Sequence, residues 1–229
     1  MVKKKKGQQV EEAYQALLKK IITLEIEPGQ FLNEKNLMAE MGIGRTPLRE
    51  AVVLLKRDNL VESQPNKSSY VKELTLSNVK DLFESLIVVE KNVTYLAARR
   101  ASPAQQAAIE EAGEAVDEAI RSGDSWQMTS RNLVFHRLIA EASGNSYLIQ
   151  FHLHLRKQAE RLSYIAVSRE LGDDSQTLDE HNRKISAHHQ ELVRCLKEGD
   201  LAGAEATSIE NIKLFQGRIL RYLNEIDYV

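Results

Sequence analysis

At 229 residues with 42% hydrophobic content, the chain is long enough to bury a substantial core and to form one or two domains. Its single cysteine, Cys195, excludes an internal disulfide, and no run approaches the ~18 apolar residues that a membrane span needs. The formal net charge of −2 hides an asymmetry, since residues 1–76 carry +3 and residues 77–229 carry −5, as suits a DNA-facing head on a body with another task.

Lys3 to Lys6 read as a solvated tail. A first helix follows over Glu11–Ile26, with Ala13, Leu17, Ile21 and Leu24 at helical spacing, and stops at Glu27-Pro28-Gly29. Asn33 caps a short second helix through Leu37, Met38 and Met41 that ends at Gly42. In the run Gly42-Ile43-Gly44-Arg45-Thr46-Pro47-Leu48-Arg49-Glu50-Ala51, Thr46 is the expected N-cap and Pro47 the first helical residue, where its missing N–H costs nothing. Helix, turn and helix thus follow within about 25 residues. After Arg57, Leu60–Ser63 and Ser69–Lys72 read as short strands around a turn at Gln64–Ser68, which makes a β-wing.

This order is that of a winged helix-turn-helix. Arg49 in the first turn and Arg45 just before it can reach base edges when that end of the helix enters a major groove, while Thr46 and the first free N–H groups face phosphate. Arginines so spaced also occur on solvated helix faces, and winged helices can serve as protein-interaction modules. The turn, cap and wing in register favour DNA reading.

Beyond Leu74-Thr75-Leu76 the patterns are helical. Ser77 is expected to cap a helix through Leu82, Leu86, Val89, Val93 and Leu96; Ser102-Pro103 opens a second, to Ile120; Gly123-Asp124-Ser125 leads into a third, ended by Ser143-Gly144-Asn145. Three more run over Tyr147–Ser168, Leu178–Leu196 and Leu201–Tyr222. The fold class is therefore mainly α: residues 1–76 a winged helix-turn-helix with a small wing, residues 77–229 a six-helix antiparallel bundle. Cys195, among Leu192, Val193 and Leu196, reads as a buried thiol and Trp126 as a packing residue. His152, His154 and His188 read as packing or solvated histidines.

The segment PGQFLNEKNLMAEMGIGRTPLREAVVLLKRDNLVE resembles the winged-helix domain of GntR-type bacterial transcription regulators, in the FadR subfamily. The resemblance implies that Lys35, Arg45, Thr46, Arg49 and the wing around Lys67 meet the DNA. Gly44 stands where the family usually has Ser, and Ser68 at the usual wing-tip Gly. The body is similar to the all-helical ligand-binding domain of the same subfamily, through FHRLIAEASGN (Phe135–Asn145) and HQELVRCLKEGDLAGA (His189–Ala204). That implies a homodimer whose body binds a small metabolite, often an organic acid and often through a metal, and thereby alters affinity for a pseudo-palindromic operator.

Many members hold the metal with an Asp four residues before the His of the FH pair and two further His. Here those positions read Asn132, His136, His189 and Asn211. Neutral amide oxygens compensate charge poorly, so no firmly bound cofactor is expected, and at most a weak Zn or Ni ion on His136 and His189. Leu86 stands where the family often has an arginine facing the pocket, which removes a bidentate carboxylate donor. The expected ligand set is Leu86, Asn132, His136, His189 and Asn211, better suited to an acid or polar metabolite held by hydrogen bonds. Two other readings compete: an effector-independent DNA-binding protein with a solid helical body, and a metal-dependent hydrolase. The chain offers the latter no nucleophile elbow or phosphate loop. A cytoplasmic protein is expected.

Overall fold

The computed structural model describes residues 6–64, 68–168 and 175–226. They divide into two compact units, one ending at Leu74 and the other starting at Thr75.

In the first unit, α1 (Lys6–Ile22), α2 (Glu34–Met41) and α3 (Arg45–Arg57) precede the strands β1 (Val61–Ser63) and β2 (Ser69–Val71). The strands pair antiparallel in the register Val61↔Val71, and Phe31 adds a bridge to Tyr70. Leu17, Ile21, Leu48, Leu55 and Val71 form the core. The α1 helix ends four residues before the sequence pattern does. Leu24 takes a left-handed φ of 61°, and the Ile26 N–H turns back to the Lys20 carbonyl at 3.0 Å, which buries Ile26. Asn33 caps α2 as expected, its Oδ1 accepting from the Asn36 N–H at 3.1 Å, and Gly42 closes it at φ 63°.

Thr46 is not the cap of α3. The helix begins at Arg45 with Gly44 as the flanking residue, and no side chain caps it. Pro47 is the third helical residue, where the N–H would lack an intrahelical partner in any case, so the ring packs into the core at no hydrogen-bond cost.

The second unit contains α4 (Leu76–Arg100), α5 (Pro103–Ser122), α6 (Ser125–Ala142), α7 (Ser146–Val167), α8 (Ser175–Glu198) and α9 (Leu201–Ile226). Thr75, not Ser77, caps α4, its Oγ1 accepting from the Asn78 N–H at 3.2 Å. Ser102 and Gln105 form a reciprocal capping box at α5, Asp124 caps α6, and Asn145 caps α7. The α4 helix packs on α9, α7 and α6, and α5 on α6 and α8. Ile109, Val116, Phe135, Ile139, Leu192 and Leu196 lie in the core. Cys195 is fully buried, and burial followed by the Glu191 charge pushes its thiol up to about 11, so it packs and does not react. Gly113 on α5 lets that helix approach α6; a Cβ there would lie 3.4 Å from the Phe135 ring. No helix among the described residues is long and apolar enough to cross a membrane.

Candidate DNA-contact face and effector cavity

On the first unit, the turn between α2 and α3 presents Arg45 and Arg49 one helical turn apart, both more than half exposed. Glu34, in the first turn of α2, reaches both: its Oε2 lies 3.2 Å from Arg49 Nε and 3.7 Å from Arg45 Nε. Lys35 and Thr46 are exposed on the same two helices. The wing strands are tied by the Ser63 and Ser69 hydroxyls, 2.9 Å apart, and by the Tyr70 hydroxyl donating to Glu62 Oε2 at 2.9 Å. Lys67, expected at the wing tip, lies outside the described residues, as do Lys3 to Lys5.

The second unit holds a buried polar cluster centred on Glu90 of α4. His136 of α6 lies with Nδ1 2.8 Å from Glu90 Oε1, and His152 of α7 with Nε2 2.7 Å from Glu90 Oε2. Arg156, one turn along α7, forks onto the same carboxylate through Nη2 at 2.8 Å and Nε at 3.2 Å. Burial alone would push the Glu90 carboxyl up. Arg156, His152 and His136 outweigh it and hold the group well below the usual carboxylate range. An ionised carboxylate only accepts, so His136 donates from Nδ1 and presents a bare Nε2. Arg156 Nη2 lies 2.9 Å from that Nδ1, the two donors meeting at one oxygen. Burial first, and then Arg156, depress His136 to about 4, so its ring is neutral.

A small cavity opens beside this cluster, lined on its polar side by Thr129, Asn132, Arg156, His181, His189 and Asn211. Asn132 Oδ1, His181 Nε2 and both ring nitrogens of His189 are buried with no hydrogen-bond partner. The His189 ring lies 4.4 Å from Phe135 and 5.4 Å from His136, centroid to centroid. Of the ligand set read from the sequence, Asn132, His189 and Asn211 thus share the cavity, and His136 stands behind His189. Leu86 is fully buried and is not among the residues lining it. The arginine at this site comes instead from α7. His152, Arg156 and His181 were not assigned from the sequence, and Glu90 was not given a role; the local signals were that Glu90 follows Leu86 by one turn of α4 and that the i, i+4 spacing puts His152 and Arg156 on one face of α7.

The donor set does not fit a firmly held transition metal. The expected ligands give two imidazoles and two neutral amides, to which the cavity adds the imidazole of His181; the nearby carboxylate is taken up by His136, His152 and Arg156, and a guanidinium so close opposes a dication. Among the described residues no three His, Cys, Asp or Glu side chains group as metal ligands.

A winged helix joined to a helical unit with a polar cavity defines the class of one-chain transcription regulators. Residues 9–71 match the model of the bacterial regulatory proteins of the gntR family, and residues 81–213, more than half the chain, match the FCD domain. The chain belongs to the GntR family, in the branch with an FCD domain. It is 28% identical to the regulator YdhC of Bacillus subtilis over 59% of this chain and 61% of that protein, so that match spans about three fifths of the relative's length. It is 27% identical to the repressor NanR of Cronobacter sakazakii over 87% and 80% of the two chains. The fold is that of E. coli McbR/YncC, with a TM-score of 0.77 at 21% identity over 95% of this chain and 98% of that one. The family is one of transcription regulators, and the hydrolase reading falls with it.

Proposed function

We propose that the chain is a cytoplasmic homodimeric regulator, in which two winged helices bind a pseudo-palindromic operator and a small metabolite in the helical cavity changes that binding. The observation that carries this reading is the pair Arg45 and Arg49, exposed together at the start of α3. Both arginines read base edges; Lys35, Thr46 and the Lys67 wing contact phosphate. Two recognition helices require two-fold symmetry to meet two half-sites. The cavity beside Glu90 supports an effector site rather than a solid body, and the ligand biases a two-state dimer by binding one state better. The relatives named NanR are repressors, and repression is the direction we assign here. No resident metal belongs to this reading.

The test is selection of genomic fragments by the full-length protein, followed by binding measurements across a salt series. Recovery of a two-fold-related site bound far more tightly than random DNA is the expected result. A folded protein that selects no site, or only non-specific DNA, overturns the proposal.

A further inference from the structure

We propose that the cavity lined from α6, α7, α8 and α9 binds an uncharged, polyhydroxylated small molecule without a metal ion, a ligand class that rests on reading the helical unit as the effector-binding half of a regulator. The cation lining the cavity is already neutralised. Arg156 is bidentate to Glu90, and the two histidines that also donate to Glu90 leave its carboxylate saturated. An incoming carboxylate would have to compete with Glu90 for the same guanidinium at a buried site. Arg218, also buried, gives its Nε to the Ala166 carbonyl and is not among the residues lining the cavity, although its charge reaches His181, which is.

The remaining wall calls for donors as well as acceptors. Asn132 Oδ1 is a buried acceptor without a donor, the neutral His189 imidazole offers one donor and one acceptor, and His181 Nε2 offers one or the other. The Asn211 and Ser163 side chains line the same space, with no side-chain hydrogen bond to the described residues. A carboxylate brings acceptors only, whereas hydroxyl groups supply both functions. Phe215, Ile185 and Val167 complete the lining and suit the C–H face of a polyol or sugar, as apolar walls with a few placed polar groups do in small-molecule sites.

The experiment pairs each polyol with the acid of the same skeleton: glycerol with glycerate, threitol with tartrate, arabinose with arabinonate. Thermal unfolding of the full-length protein is followed at about 10 mM of each, far below the range in which polyols stabilise by exclusion from the surface. At least one uncharged member should raise Tm by a few degrees, saturably, with its acid doing less, and Asn132→Ala and Asn211→Ala should each remove that shift while keeping the helical far-UV spectrum. Zinc and nickel added beforehand and passed through gel filtration should leave no stoichiometric metal. An acid that shifts Tm as much as its polyol, a shift that appears only with metal, or no shift from any polyol overturns the proposal. Operator binding, measured on the same protein without ligand, separates these outcomes from failure of the regulator reading itself, which requires that DNA binding be absent.

Discussion

Glu34 Oε2 accepts from Arg49 Nε at 3.2 Å, so the acid that opens α2 holds an arginine near the start of α3. An exposed ion pair of this kind contributes at most about 1 kcal/mol to stability. Its effect is on direction, because it restrains the guanidinium and leaves a carboxylate beside it that repels phosphate. Arg49→Ala should cost about 1 to 3 kcal/mol on operator DNA with a smaller loss on random DNA, whereas Lys35→Ala should weaken both alike and flatten the salt slope. Glu34→Gln should strengthen random binding more than operator binding. Titration of operator and random fragments at several salt concentrations checks all three, and equal losses on both DNAs for Arg49→Ala would remove the base-reading role.

Glu90 answers for three buried partners, so its removal leaves Arg156 as a buried cation without a counter-ion. Glu90→Gln should destabilise the protein by about 3 kcal/mol or more, and the double change Glu90→Gln with Arg156→Met should recover much of that loss. Urea midpoints of the two variants decide it; a double variant no more stable than the single one would show that the pair does not act as a unit.

His181 sets an acid limit. Burial, followed by the Arg218, Arg221 and Lys184 charges, lowers it to about 3 from its ordinary 6.5. As pH falls below 6.5 the unfolded chain takes up this proton and the folded chain does not, so the contribution to stability is complete above 6.5 and is lost progressively on acidification. The loss from His181 between pH 6.5 and about 4 is at most roughly 3 kcal/mol. His181→Gln should flatten the fall in urea midpoint over that interval, and an unchanged slope would contradict the assignment.

Full-length protein should sediment at twice 25.9 kDa at micromolar concentration. Val88 on α4 and Tyr147 and Phe151 on α7 are large apolar side chains more than 60% exposed, on two helices that pack together. Phe151→Glu should shift the sedimenting species toward the monomer without loss of helicity, and a wild-type protein that stays monomeric would overturn the dimer.

The metal site should be restorable. Asn132→Asp with Asn211→His supplies a carboxylate and a third imidazole around His136 and His189, and should raise zinc or nickel affinity by orders of magnitude if Arg156 is tolerated. Metal content of wild-type and double variant after mild chelation measures it; stoichiometric metal kept by the wild type would show that the two asparagines are adequate ligands.

What the sequence made legible is what neighbouring residues determine. Asn33, Gly42, Ser102-Pro103 and Gly144 mark helix ends by their own backbone preferences, and each lies at such an end. Thr46 failed as a cap because Gly44 and Arg45 could already take the positions before it, and Pro47 is as comfortable third in the helix as first. The Glu90 cluster was out of reach for a different reason: its partners lie 46, 62 and 66 residues away in the chain, and spacing within one helix cannot specify which faces meet. Asn132, His189 and Asn211 could be placed together through the family resemblance, but the Arg156 guanidinium beside them could not.

Gly113 gives this architecture a means of reshaping the cavity without changing the residues that line it. Its missing side chain leaves room against Phe135 for one methyl group in ordinary contact, and Phe135 in turn lies on the His189 ring. Alanine at 113 would brace that ring; any larger residue would drive it toward the imidazole. A chain under selection for a different effector threshold could therefore drift at a position on α5, outside the polar wall, and alter the shape of the cavity through one intervening ring.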